Sequence, residues 1–241
     1  MTGILFGRTT GVVPACDVVS LEAFKRLLDE TSSVEGIVGY KLGCILTLTY
    51  GLPALVAAAK EITDLPLIYD HQKAATDIPD VAKGFAEVCA RAGIGAAIIF
   101  PQAGPETGAA FAAALLERNL VPIVGGEMTH PKYLAKEGGF IRDEAPREMY
   151  ELGAELGVTH FVIPGNRPES IERYSRTLSG IVASPKFLMP GIGRQGGDVS
   201  SAFRAAGPNS CYAIIGSGIY RAADVRKATE RLCSEALEFE R

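Results

Sequence analysis

The stretch Ala96-Ala97-Ile98-Ile99-Phe100 is apolar at every position. A strand with one face in water would alternate between apolar and polar residues, and this stretch does not. It therefore predicts a strand of a parallel sheet whose two faces are both covered by helices.

Similar β-rich runs alternate with helical patterns from one end of the chain to the other. Apolar residues recur at helical spacing between the runs, as at Leu21, Phe24 and Leu28. The predicted strands are Val12–Asp17, Gly36–Leu42, Pro66–Asp70, Ala96–Phe100, Pro122–Gly126, His160–Pro164, Phe187–Pro190 and Tyr212–Gly216. Eight strand–helix units in 241 residues predict a (β/α)₈ TIM barrel, with residues 1–241 as a single domain. A doubly wound open sheet is the alternative.

Composition excludes several classes of function. The formal net charge of −4 argues against nucleic-acid binding, which usually leaves a basic footprint. No apolar stretch approaches the roughly 20 residues needed to span a bilayer, and the amino end lacks the pattern of a signal peptide. The cysteines are scattered and form no C-x-x-C pair, so we expect reduced thiols and a cytoplasmic location. They are Cys16, Cys44, Cys89, Cys211 and Cys233.

Polar residues follow several predicted strands at the point where each strand ends. Asp17, Lys41 and Asp70 close the first three strands, and Thr129 follows the fifth. Chemistry in a parallel barrel collects at the carboxyl ends of the strands. We therefore expect these side chains to share one site.

The densest group of charges is the run from Asp70 to Pro79. Lys73 lies between Asp70 and Asp77, and a lysine between carboxylates is held protonated. Such a lysine can donate a proton to a carbanion, while a fixed carboxylate can repel an anionic substrate group. A helix-capping role ahead of Pro79 is the alternative for Asp77.

Two glycine clusters follow the seventh and eighth strands, where barrels of this type often bind phosphate. The first, Pro190 to Asp198, is expected to offer bare backbone amides together with Arg194 and Gln195. The second, Gly216-Ser217-Gly218, is expected to offer further amides ahead of a final helix that begins near Arg221. Both clusters predict a site for a phosphorylated small molecule.

These motifs together resemble the orotidine 5′-monophosphate decarboxylase family. The resemblance runs in order along nearly the whole chain. It is carried by Pro14-Ala15-Cys16-Asp17-Val18, by Lys41 in Tyr40-Lys41-Leu42-Gly43, by the Asp70–Pro79 run, by Gly126-Glu127-Met128-Thr129-His130-Pro131, by Pro190-Gly191-Ile192-Gly193-Arg194-Gln195-Gly196-Gly197-Asp198 and by Gly216-Ser217-Gly218-Ile219-Tyr220.

The resemblance implies decarboxylation of orotidine 5′-monophosphate to uridine 5′-monophosphate, without a metal or another cofactor, in a homodimer. Asp70 would press against the substrate carboxylate, Lys73 would protonate the pyrimidine carbon, and Lys41 would complete the charge network with Asp77. Asp77 and Ile78 would reach into the neighbouring subunit's site. The expected substrate-binding residues are Asp17, Ile78, Thr129, Pro190, Gly193, Arg194, Gln195, Gly216, Ser217 and Gly218.

The chain departs from the family's pattern at two places. Two residues separate Asp70 from Lys73 and three separate Lys73 from Asp77, whereas the family's D-x-K-x-x-D motif has one and two. Ser217 stands where the family has an arginine that grips the phosphate. Our hypothesis is that Arg194 reaches the same anion from the opposite loop.

Two other functions remain open from the sequence. A related barrel enzyme would decarboxylate a sugar phosphate, or run aldol chemistry on it, with magnesium. A non-catalytic barrel would bind the nucleotide without turnover.

Overall fold

The computed structural model describes residues 5–72 and 75–240, and within these residues eight parallel strands close into a barrel. The strands are Thr10–Cys16 (β1), Tyr40–Leu42 (β2), Leu67–Asp70 (β3), Ala96–Ile99 (β4), Val121–Gly125 (β5), His160–Val162 (β6), Lys186–Met189 (β7) and Ser210–Ile215 (β8). Each strand pairs with the next, and β8 closes the barrel by pairing with β1. The predicted (β/α)₈ fold is confirmed, and the open-sheet alternative is wrong.

Helices fill the connections between the strands. They are Leu21–Thr31 (α1), Cys44–Tyr50 (α2), Leu52–Lys60 (α3), Ala82–Ala92 (α4), Pro105–Glu117 (α5), Ala145–Glu155 (α6), Pro168–Ser179 (α7), Val199–Ala206 (α8), Ser217–Tyr220 (α9) and Val225–Leu237 (α10), with 3₁₀ turns at Pro79–Val81 and Ala135–Glu137. The final helix thus begins at Val225 rather than near Arg221, because the short helix α9 comes first. No helix among the described residues has the length and apolar character needed to cross a membrane.

Side-chain caps fix where several of these helices begin. The hydroxyl of Ser20 accepts a hydrogen bond from the amide of Ala23 at the start of α1. The carboxylate of Asp198 accepts one from Ser201 at the start of α8. Caps of this kind satisfy amides that have no partner within the helix. The glycine-rich loop after β7 therefore ends at Asp198, where α8 begins.

The core has two layers because alternate residues of each strand face opposite sides of the sheet. In β1, Val13 and Ala15 belong to the cluster that fills the barrel, while Val12 and Cys16 belong to the cluster between strands and helices. Phe6 packs against the ring of Tyr212 at a centroid distance of 4.3 Å and is buried with the barrel interior. The strands are therefore covered on both faces, as the apolar run at Ala96 indicated.

Register brings the carboxyl ends of the strands to one end of the barrel. Ala15 pairs with Lys41 and Leu42 pairs with Tyr69, so the residues after β1, within β2 and at the end of β3 come close together. β2 begins at Tyr40 rather than at Gly36. Gly36 has a φ of 97°, outside the strand region, and only an isolated bridge joins Ile37 to Val12.

Candidate active site

A buried lysine lies between two carboxylates at the carboxyl end of the barrel. The Nζ of Lys41 is 2.8 Å from Oδ2 of Asp70 and 3.8 Å from Oδ1 of Asp17. Lys41 is 8% exposed and Asp70 is 7% exposed, whereas Asp17 is exposed. The structure therefore brings together the first three polar residues that the sequence predicted at the strand ends.

The charge of Lys41 is maintained despite its burial. Burial alone would lower the pKa of this amine, but the negative charges of Asp70 and Asp17 and the hydrogen bond to Asp70 outweigh burial and raise the pKa above its ordinary value. Lys41 is thus an ammonium at neutral pH.

One oxygen of Asp70 is not used by this pair. Oδ1 is buried and has no hydrogen-bond partner within residues 5–72 and 75–240. A buried carboxylate oxygen without a donor is energetically unfavourable, and such groups are uncommon in proteins. One oxygen of Asp70 is therefore paired with Lys41, and the other is left to interact with a molecule in the site.

These charges face a cavity of about 440 Å³. Its floor consists of apolar side chains of the barrel interior, among them Ile98, Phe100 and Ile214, and its volume falls within the range of small-molecule sites. The predicted site residues that line it are Asp17, Lys41, Asp70, Thr129, Pro190, Arg194, Gln195, Gly216 and Ser217. Residues from the ends of six different strands thus converge on one concave surface.

Four predicted residues do not line this cavity. Gly193 and Gly218 belong to its loops but are absent from its described wall. Asp77 and Ile78 are exposed outside it, and Ile78 is 60% exposed. Lys73 lies outside the described residues.

The loop after β7 departs from the expectation of bare amides. The amide of Gly193 donates to the carbonyl of Gly197 at 2.8 Å, that of Gly196 to Gly193 at 2.9 Å, and that of Gly197 to Gly191 at 3.2 Å. Gly191, Gly193 and Gly196 have φ values of 93°, 89° and 90°, which glycine adopts without steric penalty. These glycines shape a tight loop that bonds to itself, so the expectation of free amides at Gly193, Gly196 and Gly197 is wrong.

The loop instead presents side chains to the cavity. Arg194 and Gln195 lie at its exposed tip and line the cavity, and Ser217 lines it from the loop after β8. Ser217 and Gly218 begin the short helix α9, and first-turn amides have no acceptor within a helix. An anion here would meet one guanidinium, one hydroxyl and the start of a helix.

The helix-capping interpretation of Asp77 is wrong. Ile78, not Asp77, directly precedes the 3₁₀ turn at Pro79, and that turn has no side-chain cap. Oδ1 of Asp77 accepts a hydrogen bond from the amide of Ile78 at 2.7 Å. The Asp77 carboxylate is therefore on the surface of the loop after β3.

Sequence reasoning missed two polar side chains of the cavity, Gln72 and Tyr220. Gln72 lies within the charged run, where the added residue between Asp70 and Lys73 was the signal that could have found it. Tyr220 lies in the segment resembling the family's last motif, and Arg221 lies over its ring at 5.6 Å from the centroid.

A second group that the sequence did not reveal is a buried network around Glu127. Glu127 is 2% exposed, and its carboxylate accepts hydrogen bonds from Arg167 at 2.9 Å and from the hydroxyl of Tyr174 at 2.5 Å. Arg173 and Ser170 also donate to it, each at 3.3 Å. Glu127 lies two residues before Thr129, so the network anchors the loop that carries Thr129 into the cavity.

Comparison with known proteins agrees with the fold. The model of the Orotidine 5'-phosphate decarboxylase / HUMPS family matches residues 10–232. The chain is 33% identical over 184 residues to an orotidine 5'-phosphate decarboxylase of Thermococcus kodakarensis, which covers 76% of this chain and 78% of that protein. The crystal structure of orotidine 5'-phosphate decarboxylase from Pyrococcus horikoshii OT3 aligns with a TM-score of 0.76 and 28% identity over 93% of this chain and 98% of that one. The orotidine 5'-monophosphate decarboxylase from Methanocaldococcus jannaschii complexed with inhibitor BMP has the same fold, with a TM-score of 0.81, 20% identity and coverage of 94% and 98%.

Fold and site define a (β/α)₈-barrel enzyme with a charged cavity at the carboxyl ends of its strands. The chain belongs to the orotidine 5'-phosphate decarboxylase / HUMPS family, so the family inferred from the motifs is confirmed. It is accordingly a carbon–carbon lyase.

Proposed function

We propose that this chain decarboxylates orotidine 5′-monophosphate to uridine 5′-monophosphate. The observation that carries the proposal is the ion pair of Lys41 and Asp70, buried at the cavity with one Asp70 oxygen unpartnered among the described residues. The curated relative from Thermococcus kodakarensis, an orotidine 5'-phosphate decarboxylase, supports it.

In the proposed reaction the free oxygen of Asp70 lies against the substrate carboxylate and repels it. The bond between the pyrimidine carbon and the carboxylate breaks, carbon dioxide leaves, and the electron pair stays on that carbon. Lys73 then donates a proton to the carbon. Lys41 keeps Asp70 ionised and in place, so the charges are organised before the substrate arrives, which is an effective form of transition-state stabilisation.

The phosphate is proposed to bind at the other side of the cavity. Arg194 supplies the positive charge from the loop after β7, and Ser217 supplies a hydroxyl from the loop after β8. A guanidinium is suited to phosphate because its donors match two oxygens at once. In this arrangement Arg194 binds the phosphate, because this chain has Ser217 at the position of the family's phosphate-binding arginine.

The proposal includes a homodimer in which Asp77 and Ile78 reach the neighbouring site. Supporting it are large apolar side chains exposed close to the loop after β3: Ile78 at 60%, Ile45 at 64%, Leu48 at 74% and Val19 at 76% exposure. Ile45, Leu48 and Val19 line one hollow with His71 and Gln72. Exposed apolar surface of this extent is typical of an interface.

We also propose that residues 1–241 form one domain, since strands at both ends of the sequence complete one barrel. A cytoplasmic location accords with five cysteines that are all free thiols. No metal and no organic cofactor take part in the proposed chemistry. The described residues contain no group of three or more His, Cys, Asp and Glu side chains that could hold a metal.

The test is the loss of orotidylate absorbance on addition of the purified protein, with and without a chelator. We expect turnover in both conditions, abolition in Lys73→Ala, and unchanged rates in Lys83→Ala, whose side chain is exposed on α4. Turnover by Lys73→Ala would refute the role of Lys73. Loss of turnover with chelator would favour a magnesium-dependent sugar-phosphate enzyme, and tight nucleotide binding without turnover would favour a non-catalytic barrel.

A further inference from the structure

A second hollow adjoins the charged cavity beyond the end of β4. It has a volume of about 360 Å³ and lies between that strand end and the loop after β5. Gln72 and Phe100 line both the hollow and the cavity, so the two spaces meet at these side chains. We call this space the β4 hollow.

The wall of the β4 hollow is mainly apolar. Phe100 forms it from the end of β4, and Met128, Phe140 and Ile141 form it from the loop after β5. The side chain of Phe140 is fully exposed, which is unfavourable for an aromatic ring in water. An apolar group that entered the hollow would cover this ring.

The polar groups of the hollow do not require a polar ligand. Nε2 of Gln102 donates to the hydroxyl of Tyr133 at 2.8 Å, and that hydroxyl donates to the carbonyl of Gly126 at 2.8 Å. His130 and Lys132 are exposed, so water can satisfy their polar atoms. A group without donors or acceptors can therefore occupy the hollow without leaving a buried polar atom unpaired.

Of the two side chains shared with the cavity, one is fixed and the other is accessible. A Cβ at Gly125 would lie 2.2 Å from the ring of Phe100, so this ring packs directly on the glycine backbone. Phe100 is also buried, whereas Gln72 is exposed on the loop after β3. Passage from the cavity to the hollow therefore depends on the position of the Gln72 side chain.

The order of the strands indicates which part of a bound base would face the hollow. In the proposed function the substrate carboxylate lies at Asp70, after β3, and the carbonyl edge of the pyrimidine lies at the hydroxyl of Thr129, after β5. Carbon 5 of the ring is between the carbon that bears the carboxylate and the carbonyl carbon 4. Since β4 lies between β3 and β5 and Phe100 directly follows it, carbon 5 would point to Phe100 and the β4 hollow.

We infer that the β4 hollow is a subsite for an apolar substituent on carbon 5 of a pyrimidine nucleotide. The inference rests on the proposed function, because that function places the base between Asp70 and Thr129. A short alkyl or alkynyl group at carbon 5 would pass Phe100 and lie against Met128, Phe140 and Ile141. Phe140 is then a specificity-determining residue that takes no part in the decarboxylation itself.

Calorimetric titration of the full chain with uridine 5′-monophosphate and with 5-propynyl-uridine 5′-monophosphate tests the inference. Burial of one CH₂-sized group raises affinity roughly fourfold, so we expect the wild type to bind the propynyl compound about tenfold more tightly. Phe140→Ser should reduce this preference to less than about threefold and leave the affinity for uridine 5′-monophosphate unchanged.

Two control variants separate the wall of the hollow from surface apolarity in general. Phe140→Leu retains an apolar wall and should keep the preference for the propynyl compound. Ile181→Ser removes another exposed apolar side chain, one that follows α7, and should keep it as well.

Weaker binding of the propynyl compound than of uridine 5′-monophosphate by the wild type would overturn the inference. An equal preference in the wild type and in Phe140→Ser would also overturn it. A preference that depends on Phe140 in a chain that does not turn over orotidylate would instead refute the proposed reaction and leave the subsite standing.

Discussion

The Nζ of Lys41 lies 2.8 Å from Oδ2 of Asp70, and both side chains are buried where β2 and β3 end. Neither charge is stable there alone, because a charge removed from water needs a partner to compensate for lost hydration. The pair is therefore a precondition for placing a carboxylate beside an anionic substrate.

Replacing Lys41 by methionine should lower the free energy of unfolding by about 3–5 kcal/mol, because the Asp70 carboxylate is then buried without its counter-charge. Urea denaturation measures the change. Lys25→Met is the matched control, since Lys25 pairs with Glu61 at 2.6 Å with both side chains exposed to water, and its loss should change stability by less than about 1 kcal/mol. The double variant Lys41→Met/Asp70→Leu should regain most of the stability and show no turnover. Equal effects of the two single substitutions would contradict this account of the pair.

Arg194→Ala should weaken the binding of uridine 5′-monophosphate far more than that of uridine. A hydrogen bond to a charged group contributes about 1.5–3 kcal/mol, which corresponds to roughly a 10- to 100-fold loss of nucleotide affinity. Calorimetric titration of both ligands measures this difference. Arg204→Ala, on an exposed position of α8, should bind both as the wild type does. Equal losses for nucleotide and nucleoside would show that Arg194 does not hold the phosphate.

Introducing a charge at Leu48 should separate the proposed dimer. Leu48→Glu places a carboxylate among exposed apolar side chains that the interface would have to bury. Sedimentation at several protein concentrations should show monomers for this variant and dimers for the wild type. Ile181→Glu changes another exposed isoleucine, one that follows α7, and should leave the assembly intact. A wild-type chain that sediments as a monomer at high concentration would exclude the homodimer.

Acid should destabilise the protein through His160. Burial, reinforced by the charge of Lys186, lowers the pKa of this histidine to about 3. Its unfolded pKa is about 6.5, so the contribution of neutral His160 to stability is fully present above that value and decreases as the pH falls below it. Between pH 7 and pH 5 the decrease amounts to about 2 kcal/mol.

Denaturation curves of His160→Gln at the two pH values should differ by about 2 kcal/mol less than those of the wild type. His130→Gln, at an exposed position, controls for the loss of a histidine from the chain. An identical pH dependence in wild type and His160→Gln would mean that His160 is protonated without penalty.

The strands were predictable because their signal is local. A run such as Ala96–Ile99 is apolar on both faces whatever the rest of the chain does, and all eight predicted runs overlap an observed strand. Gly36 to Gly39 was assigned to β2 because the run is mostly apolar. Gly36 itself is excluded by its positive φ, which a pattern of apolar residues does not encode.

Within the site, the sequence predicted the residues that lie at the ends of strands. Asp17, Lys41 and Asp70 meet because parallel strands bring their carboxyl ends together. The hydrogen bonds within the glycine-rich loop depend on the positive φ angles of its glycines, and those that Asn166 donates to Thr129 and Gln195 depend on how loops from different strands contact one another. Such contacts leave no period in the sequence. The alternative interpretation of Asp77 as a helix cap was wrong because its carboxylate accepts from the adjacent amide of Ile78.

Because β1 and β8 close the barrel, this pairing can form only late in the translation of the chain. Thr10 pairs with Cys211 and Pro14 with Ile215, so the first strand meets its second neighbour only after nearly the whole chain has been made. At about 5–20 residues per second, β1 waits roughly 10–40 s on the ribosome with one edge unsatisfied. Contacts between residues so distant in sequence form slowly, and unpaired strand edges promote aggregation. The nascent chain is therefore most prone to aggregation just before its last strand emerges.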